Sequence, residues 1–298
     1  MIDVVVPTTG RSTLRRAVMS ALAQPEVARV IVVLDRPEVE VEIASMLAGT
    51  RAEIVCSTGM QGGGACRRIG TRLATADWIA YLDDDDYWAQ GRFGEDYVSV
   101  LSCSAQRVLI TAGFNLVQDS STTDQSVRRI PRHPPTFRNE GLATYLAERS
   151  SFRYGATGLQ SSAILVSAVL GRAVEWDPTL RKHQDWDFLI RCSEIADVKV
   201  HVNATRVFTQ QGSADSISRR REWRDSQAFL LRHESSMSPR SRADFVLVHI
   251  MRAAISQRDL RGVRFALGRI HAVPHLAAVA VALAGLPAAF LTERRTKQ

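Results

Sequence analysis

Trp78-Ile79-Ala80-Tyr81-Leu82 runs without a break into Asp83-Asp84-Asp85-Asp86, and this stretch decides the fold. A short apolar run of β-prone side chains predicts a buried strand. Four carboxylates at its end cannot all stay ionised a few ångströms apart unless positive charge lies among them. Hard oxygen donors suit Mg²⁺ or Mn²⁺, and a divalent cation carrying a phosphorylated ligand is the natural partner. The competing reading is a solvated acidic turn. The strand in front and the aromatic pair behind, Tyr87 and Trp88, favour a ligand site, because open α/β sheets bind ligands outside the carboxyl ends of their strands.

Upstream, strand and helix patterns alternate. Residues 2–6, apolar apart from Asp3, and the continuous apolar run 30–34 predict strands, stopped by Pro7-Thr8-Thr9-Gly10 and by Asp35-Arg36-Pro37, and residues 52–56 predict a third strand. Residues 12–23, 39–47 and 65–74 carry helical patterns, the last opened by Gly62-Gly63-Gly64. Such alternation predicts an α/β fold with a Rossmann-like, mostly parallel sheet flanked by helices. Downstream, helices are expected over 91–101 and from Asp187 to 195, and strands over 108–114, 157–166 and 198–202. Residues 118–140, polar and broken by Pro131, Pro134 and Pro135, predict a long loop. From 222 onward the pattern is helical, with Phe245, Leu247, Val248, Ile250 and Met251 marking an apolar face.

A chain of 298 residues, 45% hydrophobic and 23% charged, has material for one large domain and an appendage. A net charge of +7 and a pI of 9.7 suit a nucleotide diphosphate, an anionic membrane face or nucleic acid. Aromatics are 7% and no basic run is interleaved with stacking residues, which sets nucleic acid aside. Cys56, Cys66, Cys103 and Cys192 lie far apart and form no metal-type pair, so free thiols in a reducing compartment are expected. Met1 to Pro7 reads as a strand and not as a signal peptide, which predicts a cytoplasmic protein. Residues 272–291 are apolar but interrupted by Pro274, His275 and Pro287, and the part from 276 is shorter than the roughly 18–20 residues of a spanning helix. A buried or interfacial helix is expected. With the tail Arg294-Arg295-Thr296-Lys297 it is compatible with peripheral contact at the inner face of a membrane, the competing and slightly preferred reading of the tail being a disordered, solvated end.

Taken in order, five segments resemble the family 2 glycosyltransferases. Val4-Val5-Val6-Pro7-Thr8 is similar to the family's opening strand and turn, and Ile31-Val32-Val33-Leu34-Asp35 to its second strand. Gly64-Ala65-Cys66-Arg67-Arg68-Ile69-Gly70 resembles its Ala-x-Arg-Asn-x-Gly helix start, with Arg68 in place of the asparagine. Leu82-Asp83-Asp84-Asp85-Asp86 resembles its metal-binding signature, and His183-Gln184-Asp185-Trp186-Asp187-Phe188 its acidic acceptor-side motif. The resemblance covers residues 1 to about 210. It implies the GT-A fold, with a glycosyltransferase domain over 1–215 and a helical C-terminal extension over 216–298. Within that domain it implies a nucleotide-sugar half (1–115) and an acceptor-side half (116–215).

The resemblance also implies roles. Pro7, Thr8, Asp35, Arg67, Asp83 and Asp84 would line the donor site. Asp85 is the first choice of metal ligand, with Asp83 sharing the Mg²⁺ or Mn²⁺ or positioning the ribose, and Asp86 orienting that shell. A divalent cation would neutralise the departing diphosphate. Asp35 has two readings, acceptor for the imide of a uracil or a turn and helix cap. Arg67 is either an anion-binding group at a helix start or a surface arginine. Asp185 would act as general base on the acceptor hydroxyl, with Gln184 and Trp186 on the acceptor side. Trp186 reads equally as a sugar-stacking wall or a core residue, and Asp187 as a possible N-cap. The family's Gln-x-x-Arg-Trp motif of processive synthases is missing, Arg220-Arg221-Glu222-Trp223 being a faint echo. Gln210, Gln211 and Gly212 stand where a metal-binding histidine is sometimes found.

The function expected is therefore inverting, metal-dependent transfer of one sugar from a nucleotide diphosphate sugar, a UDP-sugar by preference. The acceptor would be a glycan or lipid-linked hydroxyl in surface polysaccharide synthesis. The rivals are a sugar nucleotidyltransferase, for which Pro7-Thr8-Thr9-Gly10-Arg11 is a poor glycine-rich loop, and a non-catalytic nucleotide-sugar-binding scaffold.

Overall fold

A computed structural model describes residues 1–94, 107–118, 127–131, 141–152, 157–203, 207–211 and 222–284. In chain order the elements are β1 (Ile2–Thr8), α1 (Leu14–Leu22), β2 (Val27–Leu34), α2 (Glu40–Met46), β3 (Ala52–Cys56), α3 (Gly63–Leu73), β4 (Trp78–Tyr81), β5 (Asp86–Trp88) and β6 (Val108–Ala112). There follow β7 (Phe114–Gln118), β8 (Val127–Ile130), α4 (Gly141–Ala147), β9 (Leu165–Ser167), α5 (Ala168–Val174), α6 (Gln184–Ser193), β10 (Lys199–Asn203) and β11 (Val207–Gln211). The described remainder is helical: α7 (Trp223–His233), α8 (Pro239–Phe245), a π-helical stretch (Val246–Met251), α9 (Arg252–Ser256), α10 (Leu260–Leu267) and α11 (Leu276–Leu283). The chain divides into two compact units, 1–134 with 159–213, and 135–158 with 214–298.

The first unit is the expected α/β layer. Its seven-stranded sheet has the order β10-β6-β9-β4-β1-β2-β3. All pairings are parallel except those of β9, which runs antiparallel between β4 and β6. The central strands are apolar on both faces because both faces are covered. Val4, Val6, Val30, Val32, Leu34, Ala80 and Leu82 join Leu14, Ala17, Val18 and Ala21 of α1 in one buried cluster. On the opposite face Val5 lies in register with Ile31 and Tyr81, and α3 packs there so closely that Gly70 has no room for a side chain. A smaller sheet of order β5-β11-β7-β8 adjoins the acidic run through β5.

Three expectations change. The loop predicted over 118–140 contains a strand, β8, paired antiparallel with β7; the prolines sit outside Val127–Ile130 and so do not interrupt its ladder. The strand predicted over 157–166 is reduced to β9, because Ser161–Ala163 form a 3₁₀ turn whose polar side chains are used in the site. The strand predicted over 108–114 ends at Ala112, and β7 begins at Phe114. Of the helix expected over 91–101, residues 95–101 lie outside the described residues, as do Cys103, Arg219 to Arg221 and the tail from residue 285. Cys56, Cys66 and Cys192 are free thiols.

The second unit is built on Phe229, Leu230, Phe245, Val246, Ile250 and Ala254, all buried. Ser238 caps α8 by accepting from the Ser241 amide, with Pro239 at the first helical position. Asp259 caps α10 through the amides of Arg261 and Gly262. The apolar face expected here is present, although Leu247 and Val248 are only half-buried. Among the described residues no helix is long and apolar enough to cross a membrane.

The α3–β1 contact yields a test. A Cβ on Gly70 would stand 2.3 Å from Val5 Cγ1 and 3.1 Å from Val5 Cβ, so Gly70→Ala should cost about 1–3 kcal/mol. Calorimetry should show a lower Tm, with recovery in Gly70→Ala/Val5→Ala and little change in Gly94→Ala, where nothing lies within 4 Å.

Candidate active site at the carboxyl edge of the sheet

Because β1, β2 and β4 are parallel, their carboxyl ends deliver Thr8, Asp35 and the aspartate run to one edge. The Thr8 hydroxyl donates to Asp84 Oδ2 at 2.6 Å. Pro7, one residue earlier, pairs in register with Val33 as part of β1. Beyond Gly10, Arg11 turns back so that one guanidinium nitrogen lies 2.6 Å from Asp85 Oδ2 and 3.3 Å from Asp84 Oδ1. Arg16 donates to the Asp85 carbonyl at 3.1 Å, its guanidinium 4.5 Å from the Tyr87 ring centroid.

Arg67 is buried, which removes the surface reading. The residue enters from the second turn of α3, whose approach is set by two glycines. Gly62 takes φ +89°, and a Cβ on Gly64 would fall 2.6 Å from the Asp177 carbonyl oxygen. Arg67 donates to Asp83 Oδ1 at 2.5 Å, to Ser161 Oγ at 3.3 Å and to Gln184 Oε1 at 3.1 Å. Its guanidinium carbon stands 4.8 Å from the Trp176 ring, which stacks on Phe188 and meets Tyr81 edge-on. One planar cation thus ties the end of β4, the 161 turn and the start of α6 together.

The four aspartates have separate environments. Asp83 also accepts from Ser161 Oγ at 2.8 Å. Asp84 is buried, and burial first of all pushes its carboxyl up to about 6, against the opposing pull of Thr8 and Arg11. Burial also raises Asp85, with Asp83 adding to the effect and Arg11 opposing it. Asp86 is the deepest. Its Oδ2 accepts from Ser162 Oγ at 2.5 Å and from Gln160 Nε2 at 3.3 Å, while its buried Oδ1 has no partner. Gln160 also donates to Thr209 of β11.

Asp185 lies in the first turn of α6, after His183 in the left-handed conformation (φ 58°). Its Oδ1 accepts from the Trp186 amide at 2.9 Å. Burial raises its carboxyl to about 6; the Trp186 amide and Arg67 oppose that shift and Asp83 reinforces it. Trp186 is half-buried, its indole N–H directed to the Leu159 carbonyl at 3.3 Å. Gln184 spends its amide internally, accepting from Arg67 and donating to the Leu180 carbonyl at 2.5 Å, so it holds Arg67 in place. Asp187 is no N-cap: fully buried, it accepts from both Nε and Nη2 of Arg191 at 2.9 and 2.7 Å.

Asp35 caps no helix at Pro37, the 3₁₀ turn Pro37–Val39 having no side-chain cap. It accepts from Ser57 Oγ at 2.8 Å and from the amides of Gln61 and Gly62 at 2.9 and 2.7 Å, fixing the loop ahead of α3. Arg11, Gln160, Ser161 and Ser162 complete the edge without having been singled out as site residues. The available signal for the last three was a polar run immediately before the apolar Ala163-Ile164-Leu165-Val166.

The positive charge that the run requires is supplied by Arg11 and Arg67. Among the described residues no three His, Cys, Asp or Glu side chains converge as a metal cage. Mg²⁺ commonly takes only one or two carboxylates and completes its shell with water and substrate phosphates. Asp83 and Asp85, whose carboxylates interact electrostatically, are two such donors and fit a cation shared with a diphosphate.

Residues 3–96 match the model of glycosyl transferase family 2. The amylovoran biosynthesis glycosyltransferase AmsB of Erwinia amylovora is 24% identical over 198 residues, 63% of this chain and 62% of the relative. The succinoglycan biosynthesis protein ExoU of Rhizobium meliloti (strain 1021) is 26% identical over 191 residues, 60% and 52% of the two chains. Both matches span less than two thirds of the relative's own length. S. aureus TarS 1–349 in complex with UDP-GlcNAc superposes with a TM-score of 0.63 at 14% identity, covering 99% of this chain and 92% of that one, a likeness of fold. With the strand order and the ordered segments that meet at the sheet edge, these matches make the chain similar to glycosyl transferase family 2 over residues 3–96, with a GT-A-like α/β fold.

Proposed function

We propose that the protein is an inverting glycosyltransferase that moves one sugar from a nucleotide diphosphate sugar to a glycan or lipid-linked hydroxyl during surface polysaccharide synthesis. The observation that carries this reading is the buried Arg67, which holds Asp83 of the acidic edge and Gln184, the neighbour of Asp185, in one network. A donor-side carboxylate and a candidate base are thereby fixed relative to each other, as a displacement with inversion requires. The names of AmsB and ExoU, both biosynthetic, support the polysaccharide setting. The TarS complexes with UDP-GlcNAc and with UDP support a UDP-sugar donor.

In this reading Asp185 takes the proton from the acceptor hydroxyl as its oxygen attacks the anomeric carbon, and Trp186 offers a wall to the acceptor sugar. Asp85 and Asp83 would hold Mg²⁺ or Mn²⁺, which would supply Lewis-acid neutralisation of the diphosphate. Arg11 and Arg67 keep the edge electrostatically balanced before the donor arrives. Thr8 orients Asp84, and Asp35 shapes the donor-side loop through Gln61 and Gly62.

The second unit supports a membrane-facing role. Leu260 and Leu267 are exposed on α10, one heptad apart, with exposed Arg261 and Arg264 between them. Opposite them, Gly262 packs against Trp223. On α11, Leu276 and Leu283 are exposed and the whole helix, LAAVAVAL, is uncharged. Leucines flanked by arginines suit an anionic lipid surface, where each basic residue gains about 1 kcal/mol.

Three outcomes are expected. In thermal-shift titrations with UDP, GDP, dTDP and CMP, UDP with Mn²⁺ should raise Tm most, and Asp85→Ala should lose the metal-dependent part; no shift with any nucleotide would overturn the transferase reading. Asp185→Asn should lower kcat by about 10²–10⁴-fold while keeping the UDP-dependent shift, and wild-type kcat/KM should climb with pH and level off above about 6. Since burial holds this carboxyl above its ordinary 3.8, ionising it in the folded state costs stability. The asparagine variant should therefore melt higher than wild type at pH 7.5, the gap closing as pH falls through 6 towards 4. Finally, co-sedimentation should show binding to phosphatidylglycerol-containing vesicles and weak binding to pure phosphatidylcholine, with loss in Leu260→Ser/Leu267→Ser/Leu276→Ser.

A further inference from the structure

The acidic edge carries two guanidinium groups of different character. Arg67 is buried and bound to Asp83, Ser161 and Gln184 with Trp176 against its face, so it cannot leave without unpacking the sheet's covering layer. Arg11 has a side chain 28% exposed, and Asp84 and Asp85 are its hydrogen-bonding partners. It springs from the turn after β1, so its long chain can swing into solvent with no change to β1 or α1. Arg11 also occupies Asp85 Oδ2 at 2.6 Å, an oxygen of the carboxylate that fits a divalent cation. Two cations cannot share that oxygen at contact distance without strong repulsion.

We infer that Arg11 is the resident counter-ion of the aspartate run, a positioning residue that competes with the divalent cation and couples metal entry to donor binding. This rests on the donor-site reading above. Without donor, Arg11 neutralises Asp84 and Asp85 and metal binds weakly. A diphosphate offers Arg11 a bidentate alternative, and its withdrawal frees the Asp85 oxygen. By linkage, metal strengthens donor binding by the same factor that donor strengthens metal binding.

The test uses the full chain and the Mn²⁺ electron paramagnetic resonance signal, which reports free metal and needs no turnover. Arg11→Gln should bind Mn²⁺ alone about tenfold tighter than wild type, and added UDP should tighten Mn²⁺ binding less in the variant than in wild type. Arg11→Lys, which keeps the charge, should resemble wild type. Arg16→Gln should leave the affinity unchanged, because Arg16 reaches Asp85 through its backbone carbonyl. Equal affinity of wild type and Arg11→Gln without UDP would overturn the inference while leaving the donor site standing. Equal tightening by Arg16→Gln would overturn it too, by showing a general charge effect. No Mn²⁺ binding by any form, with or without UDP, would remove the donor-site reading and this inference together.

Discussion

The structure of the site depends on placing one guanidinium in the protein interior. Arg67 takes a full charge out of water, and the cost is met only because Asp83 opposes it, Ser161 and Gln184 accept from it, and an aromatic ring faces it. Its Nε remains without a partner, so the balance is close. Everything attached to Arg67 inherits its position: the end of β4, the 161 turn and the first turn of α6. A neutral side chain there would leave the half-buried Asp83 beside other carboxylates without its direct ion-pair partner.

The sheet edge is accordingly held in a state the fold does not favour on its own. Burial raises Asp84, Asp85, Asp86 and Asp185 above the ordinary carboxylate range, so each costs stability when ionised at neutral pH. Such a concentration of perturbed carboxylates is characteristic of sites whose work is done with charge. The apolar layers beneath compensate. The central strands are apolar on both faces, and the stacked pair Trp176–Phe188 with Tyr81 closes the layer under Arg67.

The parallel core was legible because a strand covered on both faces must be apolar at successive positions, and residues 4–6, 30–34 and 78–82 are. The alternation with helical patterns then left little choice of topology. What misled was local composition. Residues 127–130 carry two arginines and sit among polar and proline-rich neighbours, yet pair as a strand because β7 offers them an edge. Gln160, Ser161 and Ser162 look like the approach to a strand, and their function is set by Asp83, Asp86 and Arg67, all more than seventy residues away. Asp35 is the opposite case. Its two readings were evenly matched in the sequence, and the structure adds a contact that neither named, acceptance from the amides of Gln61 and Gly62.

The sequence by itself determined the fold class and singled out the carboxyl edge, with Asp83 to Asp86 and Asp185, as the place to look for the chemistry, since these follow from periodicity and from ordered short segments. Only the tertiary structure decided which aspartate faces which cation. Successive residues in a turn point in different directions, and Arg11 and Arg67 reach Asp83 to Asp85 across separations of sixteen to seventy-four residues. Charge pairing in a partly buried edge is a matter of three-dimensional distance and desolvation, and neither is written in the order of the residues.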